Sequence, residues 1–307
     1  MKNALDTIAH EGDERMEWLG CIRKTIDLIE EGLSSTLDIQ DIATKVYASP
    51  FFLQKGFAVM TGYTVAEYIR NRRLYQAALE LRDTTQKIID IALKYGYETP
   101  ESFTKAFTRF HGITPTQART GGSFKAFLPL KISINILGGN QMNVKITKIN
   151  SFKIIGFARE FTYAEEREAI PKFWDEINEK YGAMYAGKTP ENPLEKAFAE
   201  NGIGEYGVCL GQNNGKTLYV IAGGYKGGEV PEGMSVHTIE GGEFAIFDCI
   251  GPMPDAIQSV TTKIFKEWLP GNPDYALARE ATIEWYDNGN VAAEDYHSAV
   301  WLPVQRK

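Results

Sequence analysis

Three cysteines and four histidines are the chain's whole supply of the side chains that build disulfide frameworks and zinc sites. Cys21, Cys209 and Cys249 show no short C-x-x-C spacing, so buried thiols are the reading, and no metal or other cofactor is expected. Long hydrophobic runs are missing too. Nothing approaches the roughly 18 apolar residues of a membrane span, and the opening MKNALDTIAHEGDERMEW lacks the apolar centre of a signal peptide. A cytoplasmic protein without a membrane partner is expected. The balance of 43% hydrophobic and 24% charged residues, without repetitive tracts, is that of a globular chain. Its 307 residues are about twice a typical domain of ~150, so two domains are expected.

A net charge of −7 would argue against a nucleic-acid partner, but the charge is unevenly placed. Residues 45–125 hold 12 Lys and Arg against 6 Asp and Glu, whereas residues 126–307 hold 17 against 24. The first stretch has the balance of a phosphate-facing surface and the second does not.

That basic stretch repeats itself. An offset of 50 pairs Ser49 with Thr99, Pro50 with Pro100, Leu53 with Phe103, Phe57 with Phe107 and Gly62 with Gly112. Upstream the offset is 49, pairing Ile42-Ala43 with Ile91-Ala92, so the second copy holds one more residue in its turn, at Gly96. Each copy reads as a short helix, a turn opened by a capping Ser or Thr, and a second helix with Pro in its first position. Glycine then ends that helix. Between the copies, residues 64–84 form a long helix with Tyr68, Leu74, Ala78 and Leu81 as apolar positions, and Trp18, Ile22, Ile26 and Ile29 mark a further amphipathic helix ahead of them.

On each second helix the residues off the apolar stripe are those that would face a DNA groove. They are Phe51, Gln54 and Lys55 in the first copy and Glu101, Ser102, Thr104 and Lys105 in the second. Gln suits adenine, Lys guanine, Glu a cytosine amino group, and Phe51 a thymine methyl. Arg70, Arg72, Arg73 and Arg119 suit phosphates, which position without specifying.

Through IATKVYASPFFLQKGFAVMTGYTVAEYIRNRRL and IIDIALKYGYETPESFTKAFTRFHGITPTQAR the chain resembles the AraC/XylS family of regulators, from about Trp18 to Arg119. The resemblance implies two recognition helices reading successive major grooves of double-stranded DNA, joined by a linker helix. Gly56 and Ala118 depart from the larger residues usual at those places.

After Arg119, TGGSFKAF breaks the helical pattern, and the alternation Lys131-Ile132-Ser133-Ile134-Asn135-Ile136 reads as a strand or extended linker. The expected organisation is a tandem helix-turn-helix domain over 1–120, a linker over 121–141 and a second domain over 142–307. A weaker self-match at an offset of 92 pairs Met142 with Met234, Phe152 with Phe244 and Ile154 with Ile246. Each copy offers a strand, a helix (165–181 and 254–268) and two further strands. The fold class is therefore multidomain, an all-α tandem helix-turn-helix domain followed by an α+β domain of two pseudo-symmetric strand-helix-strand-strand repeats. Glycines in AGGYKGG and EGGEF fit hairpin turns.

Residues 142–307 resemble the GyrI-like small-molecule-binding domain, through YGVCL, YVIAGGY, VPEGMSVHTIEGGEFAIFDCIGPMP, IFKEWLPGNPDY, ATIEWYD and VWLPV. The resemblance implies an aromatic-lined pocket for lipophilic, often cationic, compounds with an acid at its base, and Glu284 of IEWYD stands where that acid belongs. The residues point the same way. In a strand, Thr282, Glu284 and Tyr286 face one side and Ile283 and Trp285 the other, which puts an acid within an apolar stretch. A carboxylate beside aromatic rings suits a flat cation. Trp174, Tyr206, Tyr219, Trp268 and Tyr286 are the candidate lining residues.

These features together describe a ligand-responsive transcription regulator, not an enzyme, whose partners are double-stranded DNA, a small-molecule effector and RNA polymerase. Hydrolysis of the ligand, with Glu284 as general base and Tyr206 or Tyr219 positioning water, is the enzymatic alternative. A protein-binding module is the third reading.

Overall fold

The computed structural model describes residues 18–132, 142–163, 165–212 and 216–307, apart from the side chain of Arg167. The opening residues 1–17 and most of the expected strand or linker at 131–136 lie outside the described residues. The described residues form two compact units, one of residues 18–53 with 69–132 and one of residues 54–68 with the described residues from 142 to 307.

The helices begin and end where local chemistry dictates. The first, α1 (Trp18–Glu31), buries Cys21, Ile22, Ile26 and Ile29 along one stripe. Asp38 caps α2 (Ile39–Lys45) by accepting from the Gln40 amide at 2.7 Å. The chain then turns at Tyr47 into α3 (Pro50–Thr61) and passes Gly62 into α4 (Val65–Asp83). A second pair follows, α5 (Ile88–Lys94) and α6 (Pro100–His111). Thr99 caps α6 by accepting from the Ser102 amide, and Gly112, at φ 80°, ends it. Thr114 and Gln117 form a reciprocal capping box on α7 (Pro115–Arg119).

The one-residue difference between the copies has a structural counterpart. Gly96 turns the second pair at φ 83°, whereas Tyr47 holds the equivalent left-handed turn at φ 52°. A side chain in that region costs about 1–2 kcal/mol that glycine avoids. The second pair is built around Phe103, Phe107, Ile91, Ala92, Leu74, Ala78 and Leu81, all buried. The chain beyond α7 continues this packing, with Phe124 against Tyr75 and His111 and Phe127 against Phe110.

The second unit is built on an antiparallel sheet of β1 (Val144–Ile149), β2 (Phe152–Thr162), β3 (Tyr206–Gly211), β4 (Lys216–Gly224), β5 (Ser235–Ile239), β6 (Gly242–Ile250), β7 (Tyr275–Leu277), β8 (Ala281–Tyr286) and β9 (His297–Arg306). The order is β1-β6-β9-β8-β3-β4-β2-β5, with β7 pairing the end of β9. The stretch YALAREATIEWYD holds two separate strands, β7 and β8. Helix α8 (Glu166–Tyr185) follows β2, and α10 (Asp255–Lys263) follows β6 and runs on as a π-helical turn, Ile264–Trp268. Between α8 and β3 lies α9 (Pro193–Asn201), capped by Asn192, a helix additional to the strand-helix-strand-strand pattern.

Register decides which side chains meet. Gly207 lies opposite Glu284, and Cys209 lies opposite both Thr282 and Tyr219. Glu284 also lies opposite Val300. Since directly paired residues share a face, Thr282, Glu284, Cys209, Tyr219 and Val300 line one side of the sheet. The other side carries Val208, Val220, Ala222, Ile283, Ile154 and Phe244 as a buried cluster, with Trp301 against it.

Candidate functional site

Glu284 is half-buried on the first of these faces and is held by aromatic neighbours. The Tyr286 hydroxyl donates to its Oε2 at 2.8 Å, and the Tyr219 hydroxyl does so at 3.4 Å. Trp174 of α8 donates its indole N–H to the Tyr219 oxygen at 2.8 Å and meets the Tyr286 ring edge-on at 5.4 Å. Burial, reinforced by the Glu284 charge, pushes both tyrosine hydroxyls well above their ordinary range, so they act as neutral donors. Sequence-predicted Glu284, Tyr286, Tyr219 and Trp174 are thereby brought together.

Gly207 makes this arrangement possible. A Cβ there would lie 2.4 Å from the Tyr219 oxygen and 3.2 Å from Glu284 Oε2. Nothing in the sequence around Gly207 signals that need, because the crowding comes from two other strands.

Tyr206 and Trp268 stand differently. Tyr206 is paired with Trp285, not with Glu284, and it packs against Phe152 and Trp301 on the opposite face. Its expected place in one wall with Glu284 is corrected by strand register. Trp268 packs edge-on against Phe247 at 5.0 Å, and Phe247 is linked through Val300 to Glu284 along one cross-strand row.

Two further groups join the Glu284 face, and neither is marked by the sequence pattern. Thr282 accepts from the Lys55 ammonium at 2.7 Å, with Cys209 Sγ 3.9 Å away from the same nitrogen. Burial pushes the Cys209 thiol up to about 12. At the start of α8, Glu166 has an enclosed Oε1 without a hydrogen-bond partner. The Thr217 hydroxyl lies near enough to influence its titration, yet it too lacks hydrogen-bond geometry. Burial raises the Glu166 carboxyl, and Lys55 opposes that rise.

The residues expected to face DNA divide into two groups. Glu101, Ser102, Lys105 and Arg70 are exposed, and Thr104 and Gln54 are half-buried. The Ser102 hydroxyl donates to the Thr99 carbonyl at 2.9 Å. Phe51 is 1% exposed and sits edge-to-face on Phe52 at 4.9 Å, which corrects its placement on an outward face. A phenyl ring of that size is held inside by the hydrophobic effect. Lys55 is likewise corrected, since its ammonium lies on Thr282.

Three arginines prove to be structural anchors. Arg72, 2% exposed, makes a two-pronged pair with Glu30 at 2.8 and 2.6 Å and donates to the Phe127 carbonyl. Arg73 donates to the carbonyls of Leu33 at 2.9 Å and Ser35 at 2.6 Å. Arg119 is half-buried and donates to the Gln86 carbonyl. The first two are therefore removed from the phosphate-facing set. Among the described residues, no group of three or more His, Cys, Asp or Glu side chains is placed to hold a metal ion, and no helix is long and apolar enough to cross a membrane.

A paired helix-turn-helix array, carried on one chain with a sheet domain that gathers a carboxylate among aromatic rings, defines a DNA-binding transcription regulator with an effector-binding domain. Residues 42–121 match the model described as a helix-turn-helix domain, and residues 145–304 match the one described as integron-associated effector binding protein. The chain belongs to the AraC family of regulators and carries an effector-binding domain of this integron-associated, GyrI-like kind. It is 40% identical over 98 residues to regulatory protein SoxS of Salmonella typhimurium, covering 32% of this chain and 92% of SoxS. To the right origin-binding protein of Escherichia coli it is 29% identical over 178 residues, 58% of this chain and 61% of that one. A solved structure of a protein bound to tetraphenylphosphonium aligns with a TM-score of 0.44 at 19% identity, covering 53% of this chain and 94% of the other.

Proposed function

We propose that this regulator reads a specific DNA sequence and that a lipophilic cation, bound beside Glu284, modulates its activity. The observation that carries the reading is the half-buried Glu284 carboxylate enclosed by Tyr219, Tyr286 and Trp174. An acid placed among rings attracts a flat or aryl-bearing cation both by charge and by the ring quadrupoles. Modulation requires that the effector bind one state of the protein more tightly than another.

In this reading residues 1–120 form the DNA-binding domain, 121–141 the linker and 142–307 the effector-binding domain, all in the cytoplasm, with RNA polymerase as a further partner. The effector domain is two pseudo-symmetric repeats. The strand order supports this, since β6-β9-β8 on one side of the sheet answers β2-β4-β3 on the other. The similarity to regulators, not to hydrolases, favours binding over hydrolysis.

Titration of the protein with tetraphenylphosphonium, followed by tryptophan fluorescence through Trp174, tests the effector site. Saturable binding is expected, and Glu284→Gln should weaken it by about tenfold, corresponding to roughly 1.4 kcal/mol of lost charge interaction. Equal affinity of the two proteins would remove Glu284 from the effector's environment.

The DNA half has its own test. Lys105 is exposed on α6, where a lysine can reach a guanine edge. Lys105→Ala is expected to relax preference at a single base pair by about 1–3 kcal/mol in a binding-site selection, leaving other positions unchanged. A uniform loss across all sequences would mark Lys105 as a phosphate contact instead.

A further inference from the structure

Lys55 is an unusual occupant of the Glu284 face. Its ammonium donates to Thr282 Oγ1 at 2.7 Å and lies 3.9 Å from Cys209 Sγ. Thr282 and Glu284 are two residues apart on one strand, so their side chains stand on the same face about 7 Å apart. Glu166, with its enclosed and unpartnered Oε1, faces the same charge. A cation is therefore already seated on the Glu284 face, with the enclosed Glu166 carboxylate near enough to act on its charge.

We propose that the position of the Lys55 ammonium is the seat a cationic effector takes, with Glu166 as its second carboxylate, so that Lys55 is a built-in competitor displaced when the effector binds. The proposal rests on the effector reading above and extends it. Burial works against the lysine charge, the Glu284 and Glu166 carboxylates support it, and Lys55 titrates above the ordinary lysine range. Its charge therefore persists at neutral pH, as a competitor for a cation seat requires.

Two consequences follow from one displacement. An ammonium held on Thr282 cannot donate to a base edge, so the first copy's recognition helix lacks its lysine while the seat is filled from within. Effector affinity is also reduced by the fraction of molecules in which Lys55 holds the seat. Substituting Lys55 should remove that handicap, whereas neutralising Glu166 takes an attraction from the effector and from Lys55 alike.

The test uses the full chain and tetraphenylphosphonium in two measurements. In fluorescence titrations, Lys55→Ala is expected to bind about tenfold more tightly than the unsubstituted protein, and Lys55→Ala with Glu166→Gln severalfold more weakly than Lys55→Ala alone. In acylation with acetic anhydride, read residue by residue by mass spectrometry on the unsubstituted protein, exposed Lys105 serves as the internal reference. Lys55 should react far more slowly than Lys105 before tetraphenylphosphonium is added and should speed up at saturation. Binding that depends on Glu284 but is not tightened by Lys55→Ala would overturn the competition while leaving the effector reading intact. Acylation of Lys55 as fast as Lys105 from the start would overturn the competition in the same way. Failure of every variant, Lys55→Ala included, to bind tetraphenylphosphonium would overturn the effector reading and this inference with it.

Discussion

Replacement of Arg72 by alanine is expected to destabilise the first unit by about 3–5 kcal/mol, the cost of leaving the partner of a buried ion pair uncompensated. Arg72 is 2% exposed, its guanidinium meets both oxygens of Glu30, and it also donates to the Phe127 carbonyl. It thus ties together α1, α4 and the chain beyond α7. Removing it takes a cation from the Glu30 carboxylate and a donor from the Phe127 carbonyl at once. Chemical denaturation followed by circular dichroism would measure the loss. A variant of unchanged stability that bound DNA more weakly would restore Arg72 to the phosphate-contacting role its sequence position suggests. The double substitution Arg72→Met with Glu30→Met should recover much of the stability, because neither charge is then left alone.

An effect of similar size is expected at Phe107. This ring is fully buried, with Phe103 at 5.4 Å and the His111 ring at 4.4 Å between centroids. Phe107→Ala leaves a cavity in the core of the second helix pair and should cost about 3–5 kcal/mol. The same residue fixes the angle at which α6 presents Glu101, Ser102 and Lys105. Whatever fraction remains folded should therefore show a broadened base preference in a binding-site selection, not a shift at one position. A fully stable variant would mean that neighbouring side chains close the gap, and thermal unfolding would reveal this directly.

Much of the helical half is legible because helix chemistry is local. The spacing of Ile22, Ile26 and Ile29, the Thr99-Pro100 start and the Gly112 stop all lie within a few residues of what they determine. Arg72 and Phe51 are not legible in the same way. The burial of Arg72 depends on Glu30 and Phe127, which lie on other elements, and helical periodicity carries no information about them. Phe51 and Phe52 are both buried at adjacent positions of α3, which a single-faced helical stripe does not allow for. Lys55 illustrates the point most clearly, since its partner is 227 residues further along the chain.

In the sheet, alternation tells which residues share a face within one strand but not which faces of two strands coincide. Glu284, Tyr286 and Thr282 can be grouped from the sequence for that reason. Tyr206 cannot be placed, because a one-residue change in register moves it from one side of the sheet to the other. Glu166 does not stand out in the sequence because an acid in the first turn of a helix is ordinarily explained by the helix dipole. Only its enclosure sets it apart.

The strand order has a consequence for how the second unit comes into being. Strand β1 pairs with β6, and β2 pairs with β5, so each half of the sheet borrows its outermost strand from the other. Val144 must wait for Phe247, and β3 must wait for β8, before their ladders can close. On a ribosome the first half would emerge with unpaired edges and stay that way until nearly the whole chain had been made. Assembly of such a sheet is governed by distant pairings, which makes it slow and exposes sticky edges in the interval. The same interlacing means that neither half can be cut away and remain a finished sheet, so the grouping of Glu284 with Tyr219 and Trp174 is inherited whole or not at all.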